Sequence, residues 1–435
     1  MNRIKSGKFL NLIWLFSDKI IRIPLTIGIS SLMARYLGPS DLGLIIFAVS
    51  YFGLFGFFIN SGVEEIITRN LVREPFNKNI ILGNGMLLKC VGSVIASILA
   101  ISSSYFIFTF EEFILIAIIS VSGFFYAPFI LESYFNSRYE SKYIVRTGLA
   151  IFLLFSLLRI VGIYFKLSIH YFILLTPFEV FVIGLAYFYI GYKHLLNFFH
   201  FRVEYENLKV LLIDSFPLLL SGFAVTLYMK MDQIMIKTIL GNFDLGIFSV
   251  GIRFVENVYF IPMLITSSFL PMLVEEKTKS VVALDKATYL LSSATLYVCI
   301  VISLFFYIFA DFIIVSLFGS DFSESASVLK IYTFTLIFTA LGVSSSRRLL
   351  VENRQNLSLV RTLSGLVINL VLNFLWIPKY GFIGAAWASV VSNAFASFFI
   401  YGLLPSTFPI FRLQCLSFNP IPMICYYIKF RMKAE

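Results

Sequence analysis

Apolar runs of about 20 residues follow one another along the whole chain, separated by short polar connectors. A helix of about 20 residues rises roughly 30 Å, which is the thickness of a bilayer's hydrocarbon core. Lipid offers no hydrogen-bond partner, so each crossing must be a helix or part of a closed barrel, and these runs lack the alternation of barrel strands. The pattern predicts an all-α integral membrane protein with about twelve transmembrane helices. We place the spans at residues 10–34, 42–66, 80–106, 112–134, 144–165, 170–192, 211–234, 244–272, 287–317, 325–345, 357–377 and 381–403.

Composition supports a membrane protein, and the placement of charge predicts its orientation. The chain is 59% hydrophobic and 13% charged, with a mean hydropathy of +0.89, whereas soluble domains carry about 25% charged residues. Its net charge of +10 collects in alternate connectors. If the N-terminus is cytoplasmic, the outward connectors hold only Arg35, Lys166, Lys237 and Lys379. This bias predicts that both termini are cytoplasmic, and it explains the basic charge without a nucleic-acid partner.

The chain shows no sign of a cofactor or a cleaved leader. Span 1 is long and lacks a small-residue cleavage site, so we expect it to remain as an anchor. The four cysteines have neither metal-binding nor disulfide spacing, which predicts inert packing thiols and no bound metal. They are Cys90, Cys299, Cys415 and Cys425.

A short motif occurs in both halves of the chain. Leu-Gly-Pro-Ser-Asp-Leu-Gly at 37–43 is similar to Leu-Gly-Asn-Phe-Asp-Leu-Gly at 240–246, each after the first helix of a six-helix half. A favoured turn is the simpler explanation, but the matching positions favour a duplication. A parallel repeat predicts a pseudo-two-fold axis along the membrane normal, with a site near the midplane between the halves. The predicted division is an N-terminal lobe 1–203, a C-terminal lobe 204–403 and a cytoplasmic or interfacial tail 404–435.

Three segments resemble a known family. They are Ala-Arg-Tyr-Leu-Gly-Pro-Ser-Asp-Leu-Gly at 34–43, the stretch 216–250 with Tyr-Met-Lys-Met-Asp at 228–232, and Asn-Leu-Val-Leu-Asn-Phe-Leu-Trp-Ile-Pro-Lys-Tyr-Gly-Phe-Ile-Gly-Ala-Ala-Trp at 369–387. The chain resembles Wzx-type flippases for O-antigen or capsule repeat units, within the multidrug/oligosaccharidyl-lipid/polysaccharide (MOP) exporter superfamily. The resemblance implies a V-shaped, two-lobed bundle without enzymatic activity. It also implies alternating access for an undecaprenyl-diphosphate-linked oligosaccharide, exported across the bacterial inner membrane. A polymerase partner and coupling to H⁺ or Na⁺ remain open.

Charged residues inside the spans are the candidates for function, because each costs about 2.5–3.5 kcal/mol at mid-bilayer. Arginine and lysine suit the phosphate oxygens of a diphosphate. The predicted substrate-binding residues are Arg22, Arg253, Lys89, Arg159 and Lys19. The predicted charge-balancing or ion-coupling residues are Asp18, Glu256, Asp232 and Glu179. The resemblance favours the arginines of spans 1 and 8, Arg22 and Arg253, while a helix-2 arginine found in a lipid II flippase relative has no counterpart here.

Three alternatives stay open at this level. The charges could pair between helices and serve packing alone. A cation-coupled drug antiporter of the same superfamily would need a more acidic cavity than this basic-leaning set provides. A membrane polymerase or glycosyltransferase would need a large outer loop or an acid/base set, and the sequence offers neither. Gly53, Gly56 and Gly384 are expected to allow close helix packing.

Overall fold

The computed structural model describes residues 2–60, 62–195, 201–354 and 356–419, and this part of the chain is almost entirely helical, with no β-strand. The helices are α1 Asn2–Leu54, α2 Gly56–Asn60, α3 Val63–Arg73, α4 Lys78–Ile107, α5 Phe110–Ser120, α6 Leu131–Ser137, α7 Lys142–Tyr164, α8 Ile169–Leu195, α9 Tyr205–Ile239, α10 Asn242–Val258, α11 Phe260–Lys279, α12 Val281–Phe318, α13 Ser325–Tyr332, α14 Phe334–Val351, α15 Asn356–Ala394, α16 Ile400–Leu403 and α17 Phe408–Ser417. Two 3₁₀ turns, Val121–Phe125 and Ala127–Ile130, join α5 to α6, and a π-helical turn, Phe395–Phe399, joins α15 to α16.

The apolar helices confirm a multi-pass membrane protein. Among the described residues, eight helical stretches are long and apolar enough to cross a bilayer, and a bent pair, Phe110–Phe125 with Ala127–Ser137, makes a ninth. Two of the stretches, Phe16–Leu54 and Asn356–Leu403, each include residues of two predicted spans, which meet at a glycine with non-helical backbone angles where the sequence predicts a turn. The count of twelve therefore stays a prediction.

The glycines of the repeated motif share one unusual backbone conformation. Gly38 breaks α1 with φ 75° and ψ 174°, and Gly241 precedes α10 with φ 113° and ψ −176°. Side chains with a Cβ rarely adopt this region, and it is essentially restricted to glycine. Gly381 breaks α15 in the same way, with φ 62° and ψ −151°. The similar geometry at the two motif copies supports a duplication over a coincidental turn sequence.

The chain forms two compact units, Met1–Lys230 (unit 1) and Met231–Glu435 (unit 2), which meet within α9. The sequence places the division earlier, at 203/204. The first half of α9 belongs with unit 1 because Asp214 pairs with Arg69 at 3.0 Å. The last turns of α9 belong with unit 2, where Asp232 bonds Asn373. The predicted boundary at 203/204 therefore lies just before α9, whereas the structure divides the chain within α9, which contributes to both units.

Part of the predicted tail is integral to unit 2. Gln414, on α17, is 1% exposed, and its side-chain amide donates to the Ser345 hydroxyl at 2.7 Å and to the Ser397 carbonyl at 2.9 Å. Ser397 lies in the π-helical turn, where the widened helix alters the regular backbone bonding. The helical part of the tail thus packs into the bundle. The rest of the predicted tail, residues 420–435, lies outside the described residues.

Candidate functional site

Unit 1 contains a network of charged side chains that begins on α1. The Arg22 guanidinium donates to Asp18 Oδ1 through Nη2 at 2.9 Å and through Nε at 3.2 Å. The two residues are four positions apart, so they share a helix face, as the sequence predicts. Arg22 also lies over the Phe152 ring of α7, with Cζ 5.2 Å from the ring centroid. The arginine is therefore oriented by one carboxylate and one aromatic face.

A glycine on α7 makes room for this arginine. A Cβ at Gly148 would lie 3.1 Å from Arg22 Nη2 and 3.5 Å from the Tyr187 hydroxyl. The hydroxyl of Tyr187, on α8, interacts electrostatically with the carboxylate of Glu132, on α6. Because Gly148 has no side chain, the Arg22 guanidinium of α1 and the Tyr187 hydroxyl of α8 can both lie close to the α7 backbone.

The network continues to a lysine on α4. Lys89 is 3% exposed, and its ammonium pairs with the Glu64 carboxylate of α3. The same ammonium lies 5.9 Å from the centroid of the Phe129 ring. Glu132 interacts electrostatically with Glu64, Lys89 and Arg22. Six polar side chains from five helices therefore form one group, which we call the unit 1 cluster: Asp18, Arg22, Glu64, Lys89, Glu132 and Tyr187.

Sequence reasoning missed three members of this cluster. Glu64 lies near the end of the predicted span 42–66, where a charge is less costly, and Tyr187 is one of 23 tyrosines in the chain. Glu132 carried a usable signal, since it is a carboxylate inside the predicted span 112–134, at a place where a charge is costly. Which cation each carboxylate contacts depends on how the helices pack, and helix spacing in the sequence does not contain that information.

The remaining candidate cations of unit 1 have different surroundings. Arg159, on α7, pairs with Glu179, on α8, at 2.7 Å, and both side chains are 15% exposed. In the described part of the chain, no contact connects this pair with the cations of the cluster. Lys19 is exposed, next to Asp18 on α1 but on another face. The Arg159–Glu179 geometry is that of an ion pair between neighbouring helices, as the packing alternative expects.

Unit 2 holds its candidate charges on α9 and α10. Arg253 and Glu256 lie three apart on α10, and the Asn257 side-chain amide donates to the Arg253 carbonyl at 2.9 Å. Glu256 interacts electrostatically with the Arg253 guanidinium. Arg253 therefore also has a carboxylate neighbour, on its own helix.

Asp232 forms a second polar site in unit 2. It is 6% exposed and accepts hydrogen bonds from the Asn373 amide at 2.6 Å and from the Ser389 hydroxyl. Asn373 also bonds Asn369 Oδ1 at 3.0 Å, and its own Oδ1 has no partner in the described structure. Within the described ranges, no lysine or arginine pairs with Asp232. A buried carboxylate surrounded by amide and hydroxyl groups provides the oxygen atoms that a proton or a hard cation requires.

Comparison with known proteins identifies the family. The family model described as "Polysaccharide biosynthesis protein" matches residues 10–277, more than half of the chain. The chain belongs to the polysaccharide biosynthesis protein family. This result confirms the resemblance seen in the sequence motifs.

Members of this family and its structural neighbours show how far the likeness extends. This polysaccharide biosynthesis protein is 26% identical over 212 residues to capsular polysaccharide biosynthesis protein CapF of Staphylococcus aureus, covering 46% of this chain and 52% of the relative. It is 26% identical over 195 residues to the probable low-salt glycan biosynthesis flippase Agl15 of Haloferax volcanii, covering 44% and 41%. The match thus spans about half the length of these curated relatives.

Solved structures show the fold over nearly the whole chain. The inward closed conformation of the lipid II flippase MurJ aligns with a TM-score of 0.72 at 18% identity, covering 97% of this chain and 93% of MurJ. An inward-facing multidrug resistance MATE transporter of the MOP superfamily aligns with a TM-score of 0.71 at 16% identity, covering 91% and 95%. The predicted all-α MOP fold is therefore confirmed.

Proposed function

We propose that the protein is a flippase for an undecaprenyl-diphosphate-linked oligosaccharide repeat unit. It would move this unit from the cytoplasmic to the outer leaflet of the bacterial inner membrane by alternating access, with both termini cytoplasmic. The product would feed synthesis of O-antigen or another surface polysaccharide. The family, the named relatives and the MurJ-like fold support this proposal. The observation that carries it is the unit 1 cluster, in which Arg22 and Lys89 are each held by a carboxylate that an anionic substrate could replace.

The cluster suits a diphosphate through ligand exchange. Phosphate oxygens compete with Asp18 for the planar fork of Arg22, and with Glu64 for the ammonium of Lys89. When the substrate leaves, Asp18 pairs again with Arg22 and Glu64 with Lys89, so neither cation is left without a counter-charge. The polyprenyl tail stays in lipid, because exposing it to water would cost about 0.8 kcal/mol per CH₂. An inside-negative potential favours outward movement of the anion by about 2.3 kcal/mol per charge per 100 mV.

The other predicted cations contribute unequally to this proposal. Arg253 is the unit 2 candidate for substrate contact, because it is the intramembrane arginine that the sequence predicts in span 8. Arg159 is bound to Glu179 and Lys19 is exposed. We therefore assign the main phosphate contacts to Arg22, Lys89 and Arg253.

Transport of a radiolabelled lipid-linked oligosaccharide in proteoliposomes tests the proposal. Arg22→Ala and Arg253→Ala should each slow flipping by about tenfold or more, since a charge-assisted hydrogen bond contributes about 1.5–3 kcal/mol. Lys379→Ala is the matched control, because Lys379 lies over the Tyr380 ring, 5.2 Å from its centroid, outside the proposed site. Flipping at the wild-type rate in both arginine variants would rule out this site assignment.

A cation-coupled drug antiporter is the second candidate. The MATE likeness favours it, and so does the excess of carboxylates over cations in the unit 1 cluster. The same proteoliposomes distinguish the two functions, because efflux of a cationic dye without lipid flipping would support the antiporter.

Asp232 is our candidate for ion coupling, whether the ion is H⁺ or Na⁺. Asp232→Asn removes the charge but keeps a group that can hydrogen-bond Asn373 and Ser389. We expect a proton or sodium gradient to accelerate wild-type flipping by about fivefold or more, in line with coupling of about 1 kcal/mol and above. The variant should not respond to the gradient. Equal gradient responses in both proteins would exclude Asp232 as the coupling residue.

A further inference from the structure

A cavity on the surface of unit 1 lies outside the cluster. It holds about 420 Å³, within the range of about 300–1,000 Å³ that small-ligand sites occupy. Two segments form it, the connection from α3 to α4 and the end of α6. The span prediction places both on the same side of the membrane, since two spans, 80–106 and 112–134, separate them. The lining residues are Leu71, Phe76, Lys78, Tyr134, Ser137 and Arg138.

Two cationic side chains line this cavity. The Arg138 guanidinium donates through Nη1 to the Tyr134 hydroxyl at 2.5 Å, and its Cζ lies 5.4 Å from the centroid of the same ring. Tyr134 is 3% exposed, so this contact attaches the guanidinium to a buried residue. The contact uses one of several N–H donors and leaves the others for a ligand. With the described residues, neither Lys78 nor Arg138 forms an ion pair.

Acidic side chains flank the cavity without lining it. Glu140 interacts electrostatically with Arg138. Glu74 accepts a hydrogen bond from the Asn77 amide at 3.0 Å and lines a neighbouring cavity instead. The lining that the structure describes therefore carries two positive charges and no negative one. Such a site favours an anion, and above all phosphate oxygens, which accept charge-assisted hydrogen bonds from both cation types.

Backbone geometry fixes the position of both cations. Lys78 is the first residue of α4, whose N-terminal N–H groups receive no side-chain cap, and such groups attract anions. Arg138 directly follows α6. This helix ends in a left-handed turn at Tyr139, with φ 58°, which is closed by a hydrogen bond from the Glu140 N–H to the Phe135 carbonyl at 2.8 Å. Both cations thus start from defined backbone positions at the cavity.

Exposed apolar side chains adjoin the two cations. Phe76 is 99% exposed and Val72 is 61% exposed. Phe76 lies in the 3₁₀ turn Pro75–Asn77, between the predicted spans 42–66 and 80–106. Aromatic side chains in such connectors lie at the level of the lipid headgroups. A cationic cavity beside an exposed aromatic ring matches an anionic lipid better than a soluble anion, because a lipid supplies both the charge and the apolar chain.

We propose that this cavity binds the phosphate group of an anionic phospholipid. Lys78 and Arg138 contact the phosphate oxygens, and Phe76 lies against the acyl chains of the same lipid. The bound lipid connects α3, α4 and α6, three helices that also supply residues of the unit 1 cluster. This site is separate from the proposed function, because it does not depend on which cargo the protein moves.

Quenching by brominated lipids tests the site. Phe76→Trp places a fluorescent reporter at the cavity, and its side chain is so exposed that the change should not disturb packing. Wild type, with its three tryptophans, supplies the background signal. The probes are brominated phosphatidylglycerol and brominated phosphatidylcholine, each added to the protein in mixed micelles. The reporter should show a preference of about tenfold or more for phosphatidylglycerol, since each basic side chain near an anionic lipid contributes a factor of about five.

Charge variants in the reporter background locate the preference. Lys78→Gln and Arg138→Gln should each reduce it by about fivefold, whereas Arg138→Lys should retain most of it because the charge remains. Lys142→Gln is the matched control, since the Lys142 ammonium lies 4.8 Å from the centroid of the Tyr143 ring, outside the cavity. It should leave the preference unchanged.

Three results would overturn the proposal. The first is equal quenching by the two brominated lipids. The second is a preference that survives in both Lys78→Gln and Arg138→Gln, or that Lys142→Gln lowers as much as they do. The third is displacement of brominated phosphatidylglycerol by millimolar inorganic phosphate, which would mean that the cavity takes free phosphate and not a lipid. A loss of preference confined to the two cavity variants supports the lipid site, whether or not the protein flips an oligosaccharide.

Discussion

Glu179→Leu should lower the free energy of unfolding by about 3–5 kcal/mol, because it leaves the Arg159 charge between two helices without its partner. Arg159→Leu should have a similar effect for the same reason. The double variant, which replaces both charges by apolar side chains, should recover most of the wild-type stability, because hydrophobic replacement of a buried ion pair is often neutral. Unfolding by a denaturing detergent in mixed micelles measures all three values.

The Lys330–Asp311 pair is the control for this cycle. Its side chains are 33% and 69% exposed and 2.5 Å apart. Exposed pairs contribute about 0–1 kcal/mol, so Asp311→Leu should change stability little. Transport by the Arg159→Leu/Glu179→Leu double variant then decides the role of Arg159. A stable double variant that flips substrate normally would mean that the pair serves packing, whereas a stable but inactive one would return Arg159 to the substrate site.

Gly92→Ala should destabilise unit 1 by about 3 kcal/mol or more, at the upper end of what overpacking costs. A Cβ at position 92 of α4 would lie 2.2 Å from the carbonyl oxygen of Phe58, in α2. Backbone atoms cannot rotate away as a flexible side chain can, so one of the two helices would have to shift. The melting temperature in detergent and the yield of monodisperse protein measure the effect.

Gly28→Ala is the matched control for Gly92. It lies in α1, and a Cβ there would meet nothing within 4 Å. Alanine in a helix is favoured over glycine by about 0.5–1 kcal/mol, so this change should be neutral or stabilising. Equal melting temperatures for Gly92→Ala and wild type would show that α2 and α4 are not as close as the structure places them.

The glycines illustrate what a sequence pattern misses about helix packing. The sequence expected close approach at Gly53, Gly56 and Gly384. Gly384 meets this expectation, since a Cβ added there would lie 2.5 Å from the Trp376 carbonyl oxygen. A Cβ added at Gly56 would meet none of the described atoms within 4 Å. Gly92, which the sequence did not single out, makes a closer approach. A glycine is needed only where the backbone of another segment lies close to the helix. The sequence of one helix does not show where such a contact occurs.

Some contacts of the charged residues could be predicted from the sequence, and others only from the structure. The Asp18–Arg22 pair follows from residues four apart on one helix, so it was accessible from the sequence. Lys89–Glu64 and Asp232–Asn373 connect residues far apart in the chain, and only packing reveals them. Glu132 was readable as a costly charge, but its place among Glu64, Lys89 and Tyr187 was not.

The sequence by itself determined that the chain is a helical membrane protein, where its main turns fall, and to which family it belongs. These properties depend on local patterns: apolar length, glycine at positive φ, and motifs along one stretch. Tertiary structure alone decided which carboxylate holds which cation, that α9 contributes to both units, and that α17 packs into unit 2. Side-chain partners from different helices depend on the relative positions of those helices, and these arise from packing over the whole unit.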